Sequence, residues 1–414
     1  MKSAIEPLKN YILCHHCDLL SELPTVTDNH KAICPRCHTG LATEHRHMKK
    51  NTTIYSICAL IMLILSCCFI FIDIRVMGIV NNLNILALAD TLYQDKYLSL
   101  TVLFLLLVLV IPVLCLIFQI ILCSRLPLSK FRQRDLLKWY GKLHDWNMPE
   151  IFMAGVLVSF VKLTSYGDVG LDQAFLPFCL FIVFYLKSYI IFSQRDIWNQ
   201  VAKNYIGDTP LVSGKTGIDQ NIRLCLCCHS ILPANLARCP RCKTKGQLRE
   251  RKKIQWTIAL IFTSLLLYIP ANMYGVMNTV FLGSLSSSTI LDGVIYMWQE
   301  GDYPVALVIF AASVIIPVLK IIALSWLCYF ALAAKNKTNV NCRKMNKLYK
   351  MVEFIGRWSM IDVFVVSVVS ALIRNGEMMS VYPYIGAIFF ASVVVVTMIA
   401  SHKYDPRLIW DNVN

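Results

Sequence analysis

Eight long apolar runs, at about residues 53–72, 99–123, 149–166, 174–193, 255–275, 303–331, 358–375 and 382–401, limit what this chain can fold into. A helix of roughly 18–25 apolar residues crosses a hydrocarbon core of about 30 Å. Runs of this kind exclude a soluble globular protein in a chain of 414 residues that is 57% hydrophobic, 16% charged and has a mean hydropathy of +0.56. The N-terminus is polar and cysteine-rich, which is not the composition of a cleavable signal peptide. The expected fold is an all-α polytopic membrane protein.

The net charge of +15 is distributed as a topology signal, not as a nucleic-acid surface. Lys and Arg number 7 in residues 1–50, 6 in 124–148, 12 in 194–254, 7 in 335–357 and 2 after 401, so 34 of 40 fall on one side if eight spans alternate. The opposite loops hold Arg75, Lys96 and Arg374 beside Asp73, Asp90, Asp95, Asp168, Asp172, Asp292, Glu300, Asp302 and Glu377. Positive charge gathers on the cytoplasmic side of membrane proteins, which places both termini in the cytoplasm.

Eight of the 17 cysteines form four CxxC pairs: Cys14 and Cys17 with Cys34 and Cys37, then Cys225 and Cys228 with Cys239 and Cys242. A two-residue spacer lets a tight turn aim both sulfurs at one ion, and two such turns complete a tetrahedral S4 shell. Thiolate softness favours Zn²⁺, with iron as the alternative. A redox-active CxxC needs one pair, not two facing pairs. A closed shell reads as structural, not catalytic, and Cys227 and His229 are substitute ligands for the second site.

Each cysteine ribbon precedes four of the runs, and the two halves match internally. "IPVLC" (111–115) pairs with "IPVLK" (316–320), "WNMPEIF" (146–152) with "WSMIDVF" (358–364), and "RDIWNQ" (195–200) with "RLIWDN" (407–412). The expected organisation is a ribbon over 1–50, a four-helix module over 51–202, a linker over 203–224, a second ribbon over 225–253 and a second four-helix module over 254–414.

What differs between the halves points to function. Lys320 stands in an apolar run where the first half has Cys115, and Asp362 corresponds to Glu150. A charge at bilayer depth is costly and normally faces the protein interior. Lys320 lies about 16 Å from the cytoplasmic end of its span, Asp362 about one turn inside the same face, and Thr397 at similar depth. Ser313 shares the helical face of Lys320, and Ser359 lies three residues before Asp362. Ser313, Lys320, Ser359, Asp362 and Thr397 are therefore expected to form a buried polar cluster. It reads as a functional relay, with a packing lock and a snorkelling lysine as alternatives.

The prolines Pro112, Pro270 and Pro317 mark kinks, and Arg374 with Glu377 marks an outer span end. The stretches 128–146 and 342–358 read as interfacial amphipathic helices. No phosphate-binding loop, nucleophile elbow or HExxH motif is present, so enzymatic chemistry is not expected.

The tandem CxxC…CPRC ribbons, "GRWSMIDVF" (356–364), "DPRLIWD" (405–411), "LPAN" (232–235) and "STILDGVIYMWQEGDYPVA" (288–306) resemble the paraquat-inducible protein A family over nearly the whole chain. The resemblance implies a Gram-negative inner-membrane protein with cytoplasmic zinc ribbons and tetraspanin-like four-helix modules. It implies work with a periplasm-spanning MCE tunnel partner, moving phospholipids between membranes and, through the tunnel, toward an outer-membrane lipoprotein. Lys320, Ser313, Ser359, Asp362 and Thr397 match a polar network of the family's second module that is associated with function and proton coupling. Ser165 stands where one branch of the family has an acid. The outer loops 76–98 and 276–302 are long enough to dock the tunnel. The rival reading is a non-transporting anchor or gating adaptor, and a third is a thiol redox sensor.

Overall fold

The computed structural model describes residues 11–23, 30–76, 79–124, 129–163, 168–202, 211–249, 251–281, 284–299, 301, 303–333, 339–373 and 379–411. Strands β1 (Tyr11–Leu13) and β2 (Leu20–Glu22) flank the first CxxC turn, and β3 (Lys31–Ile33) and β4 (Gly40–Thr43) flank the second. Helix α1 (Met48–Cys68) leads to β5 (Ile72–Val76), β6 (Ile79–Leu83), α2 (Ile85–Gln94) and α3 (Leu98–Phe104). A π-helical segment (Leu105–Val110) joins α3 to α4 (Ile111–Cys123), followed by α5 (Lys130–Leu143), α6 (Pro149–Leu163), β7 (Asp168–Leu171), α7 (Phe175–Ile191) and α8 (Gln194–Val201).

The same order then recurs. The second ribbon contributes β8 (Ile222–Leu224) and β9 (Ile231–Pro233), and α9 (Arg251–Met273) leads to β10 (Met277–Phe281), β11 (Ser284–Ser288), α10 (Ile290–Gln299) and α11 (Tyr303–Phe310). A second π segment (Ala311–Ile315) joins α11 to α12 (Ile316–Ala333), followed by α13 (Asn339–Trp358), α14 (Ile361–Leu372), β12 (Met379–Pro383), α15 (Ile385–Lys403) and a 3-10 turn (Pro406–Ile409). Both π segments end just before an Ile-Pro-Val-Leu sequence. Proline lacks the N–H that the carbonyl four residues earlier would need, and the wider π step resets the ladder there.

Six helical stretches among the described residues are long and apolar enough to cross a membrane: Met48–Cys68, Leu98–Cys123, Lys252–Met273, Ala306–Leu332, Asn341–Leu372 and Ile385–Lys403. The pair α7 and α8, bent by 51°, makes a seventh if counted as one span. Eight spans are thus not reached by length and composition: α6 has 15 described residues, and residues 164–167 beyond it, Ser165 included, lie outside the described residues. The expected span 358–375 falls largely within the stretch Asn341–Leu372, where α13 runs on into α14, itself 12 residues long. Every residue of α14 is buried in protein, so its length need not match a bilayer.

The all-α expectation needs correcting at one end of the molecule. The expected outer loops 76–98 and 276–302 carry strands and short helices, and each half closes with a three-stranded antiparallel sheet, ordered β6-β5-β7 and β11-β10-β12. Strand β5 pairs Ile72 with Leu171, and β10 pairs Met277 with Pro383. Each sheet therefore ties the first span of its half to the segment before the last. The ribbons lie at the other end of the helices. Of the expected linker, 203–210 lies outside the described residues, while Leu20 donates to Lys215 O at 3.0 Å and Gly217 donates to Asp18 O at 2.8 Å. Residues from 211 onward are thereby built into the ribbons.

The halves meet along α6 and α14, which occupy equivalent places in the repeat. Phe152 and Phe364, equivalent residues, stack edge to face with centroids 5.7 Å apart. Gly155 allows this approach: a Cβ there would sit 3.0 Å from Phe364 Cβ and 3.4 Å from Ile361 O.

Candidate functional site

A cavity of about 400 Å³ follows α14 in the second half. Its lining runs from Ile373 beside the sheet to Asp362, eleven residues or roughly 16 Å along the helix. Val365, Val366 and Val369 form one wall, Tyr296 and Met297 of α10 another, and Ser313 of the π segment borders the Asp362 end. The π segment matters here, since its wider turn is where Ser313 leaves the regular helix. The result is a largely apolar channel with a hydroxyl and a carboxyl at its deep end.

The five residues of the expected polar cluster are all buried but do not all meet. Ser313 and Asp362 share the cavity. Lys320, 2% exposed, does not line it, and Lys320 Nζ has no hydrogen-bond partner among the described residues. Instead the lysine stem carries its ammonium against α13, where a Cβ on Gly356 would lie 3.0 Å from Nζ. No ion pair joins Lys320 to Asp362, which replaces the direct contact expected from depth alone. The physical reason is reach: a four-carbon stem can lean along its span toward the ribbon end. Thr397 donates to Val394 O of its own helix at 2.9 Å, and Ser359 sits in the turn between α13 and α14. Arg374 and Glu377 lie outside the described residues.

The first half holds a polar group that sequence reasoning missed. Gln119 Oε1 accepts from Ser56 and Ser188, whose hydroxyls lie 2.7 Å apart, and Gln119 Nε2 donates to Tyr140 OH at 3.0 Å. The repeat places Ile261, Leu324, Val352 and Ala400 at the corresponding positions, and these four belong to one apolar cluster. The polar core of the first half is thus closed on itself, and that of the second is apolar beneath Lys320. The signal was present: Gln119 is the one amide in the run 99–123.

At the ribbon end, all eight CxxC cysteines are buried in two clusters whose ligand atoms lie within 4.8 Å of one another. Sulfur pairs stand 3.5 Å apart for Cys14–Cys37 and Cys17–Cys34, 3.4 Å for Cys225–Cys242 and 3.6 Å for Cys228–Cys239. A tetrahedron with metal–sulfur bonds of about 2.3 Å has edges near 3.8 Å, so the donor set fits a four-coordinate ion. Each turn closes alike: Asp18, His38, His229 and Lys243 are left-handed and donate to the carbonyl of the first cysteine at 2.8–2.9 Å. Thiol hydrogen bonds, from Cys14 first and then Cys17, draw the Cys34 thiol down to about 7, and those from Cys225 and Cys228 draw Cys239 down to about 6. Hydrogen bonds from Cys14 and Cys225 push their neighbours Cys17 and Cys228 up, so each cluster carries thiolate and thiol side by side until a bound metal displaces the protons. Cys227 and His229 are outside the second cluster. Each cluster can hold one metal ion with no open coordination position.

The family described as paraquat-inducible protein A matches residues 50–202 and 254–414. The chain is similar to "Intermembrane transport protein PqiA" of Escherichia coli (strain K12), 46% identical over 401 residues that cover 97% of this chain and 95% of that protein. It is also similar to "Lipophilic envelope-spanning tunnel protein A" of the same strain, 26% identical over 412 residues covering 98% and 92%. A "Probable intermembrane transport protein" of Haemophilus influenzae is 24% identical over 406 residues covering 96% and 95%. No solved structure matches.

Proposed function

Because the chain belongs to the paraquat-inducible protein A family, we propose that it is the inner-membrane subunit of an intermembrane lipid transport system. In this reading each half is a four-span module, the ribbon end is cytoplasmic and binds two structural Zn²⁺ ions, and the sheet end faces the periplasm. The sheet end docks a periplasm-spanning MCE tunnel partner and exchanges phospholipid-like amphiphiles with it, onward to an outer-membrane lipoprotein. The observation that carries the reading is the channel along α14. Its valine wall suits an acyl chain, and Ser313 and Asp362 at its deep end offer a hydrogen-bond donor and acceptors.

Lys320, Ser359 and Thr397 lie outside the channel lining. Lys320 serves as the group that exchanges a proton as the second half changes conformation, with Ser359 and Thr397 packing the turn and helix beside it. A lysine buried with no hydrogen-bond partner among the described residues is costly, and that cost supports a functional role.

Purified full-length protein in vesicles, assayed for transfer of fluorescent phospholipid to its tunnel partner with and without a pH gradient, tests the reading. Transfer that rises with the gradient and is lost in Lys320→Met and Asp362→Asn is the expected result. Absence of transfer by correctly folded wild-type protein would leave a membrane anchor or gating adaptor for the tunnel.

A further inference from the structure

The ribbons are docked crosswise. The first ribbon, which precedes the first half, packs on the second: the Arg36 guanidinium lies 4.7 Å from the centroid of Trp410, and His16 meets Tyr349 edge to face at 5.8 Å. Arg343 donates to Arg36 O at 3.0 Å and Lys350 to Cys37 O at 3.5 Å, both from α13. The second ribbon, which precedes the second half, packs its CPRC turn on the first, while Arg249 at its end pairs with Asp411 of the second. Its Arg241 lies 5.8 Å from the Trp198 centroid and donates to Asn199 Oδ1 at 2.8 Å and to Ala202 O at 3.1 Å.

These contacts are repeat equivalents. Arg36 and Arg241 are the third residues of the two CPRC turns, and Trp198 and Trp410 are the tryptophans of the matching Ile-Trp pairs. The apolar cores agree. Cys14, Cys17, Cys34 and Cys37 share a cluster with Tyr349 and Trp410, whereas Cys225, Cys228, Cys239 and Cys242 share one with Leu137 and Trp198. A third set of contacts joins the ribbons themselves: Leu13 and Leu20 pack with Ile222, Leu224 and Ile231.

We propose that each ribbon is a metal-dependent brace on the half it does not precede, and that the first ribbon sets the position of α13 over Lys320. The physical path is short. A metal ion held by Cys14, Cys17, Cys34 and Cys37 would fix the CPRC turn; that turn holds Arg36 on Trp410 and Cys37 O on Lys350, and α13 carries Gly356, the backbone against which Lys320 Nζ rests. Crossed docking makes the cytoplasmic faces of the two halves interdependent, because neither ribbon can detach without releasing the other half. The inference rests on the metal reading of the cysteine clusters, and the experiment separates the two.

Hydrogen–deuterium exchange by mass spectrometry on the full-length protein in phospholipid nanodiscs, with metal content measured on the same samples, tests it. Arg36→Ala leaves every cysteine in place and is expected to raise exchange in α13 about two- to fivefold, the worth of one cation–π contact, without changing α8. Arg241→Ala is expected to do the reverse. Cys37→Ser and Cys242→Ser should each lose one metal equivalent and give the same crossed pattern more strongly. Loosening of the half that follows the altered ribbon, equal loosening of both, or no change in the arginine variants overturns the brace. Cysteine variants that lose no metal, beside arginine variants that show the crossed pattern, overturn only its metal dependence.

Discussion

Gln119 of α4 and Lys320 of α12 are both polar in apolar surroundings, but their surroundings treat them differently. Gln119 uses its amide fully, accepting from Ser56 and Ser188 and donating to Tyr140. Gln119→Leu should therefore cost about 1–3 kcal/mol, since it strands the Tyr140 hydroxyl and breaks the serine contacts. A lowered thermal midpoint of the purified protein checks this, and an unchanged midpoint would mean the network contributes nothing net. Lys320 has no such partner among the described residues. Its replacement by Met removes a desolvated charge and should leave the protein at least as stable, in contrast to a lysine that locks packing. A clearly lowered midpoint for Lys320→Met would show that the residue is structural. The two side chains were unequal in sequence as well: a lysine in a span draws attention through its cost, and a glutamine does so weakly.

Among the elements, α14 is central. It is 12 residues long and buried throughout, which is why it departs from the length expected of a span. Its neighbour α6 approaches closely through Gly155. Gly155→Leu would push into Phe364 Cβ and the Ile361 carbonyl, and overpacking of this kind costs about 1–3 kcal/mol. The variant should weaken the association of the halves and move the valine wall of the channel, read as a lowered midpoint together with reduced lipid transfer. Transfer lost at unchanged stability would place the effect in the channel alone. The sheets were not legible as elements because their pairing is remote. Strand β5 joins β7 across about a hundred residues, Ile72 to Leu171, and short strands rich in Asn, Asp and Ser resemble loops until that partner is known.

At the level of the whole molecule, ion pairs gather at the ribbon end. Arg249 bridges Asp18 of the first ribbon and Asp411 near the C-terminus, at 2.9 and 3.0 Å. Arg407 holds Asp405 at 2.7 Å, both almost fully buried. Burial alone would push the Asp405 carboxyl up, but the hydrogen-bonded Arg407 guanidinium outweighs it and holds the group below the usual range. A carboxylate with a depressed folded value stabilises above its unfolded value of about 3.9, and that contribution fades as pH falls through the folded one. Asp405→Asn should thus lower the thermal midpoint at pH 6, and its difference from wild type should close toward pH 3. A difference that is unchanged between pH 6 and pH 3 would assign the loss to packing and not to charge.

The sequence by itself determined the membrane class, the two sets of cysteine ligands, the duplication and the singular position of Lys320, because each is written in local composition or fixed spacing. Tertiary structure alone decided that Lys320 leans on Gly356 and not on Asp362, that Ser313 and Asp362 share a channel, and that the ribbons brace opposite halves. Those outcomes depend on side-chain reach and on contacts between segments hundreds of residues apart. Periodicity and spacing carry no record of such contacts.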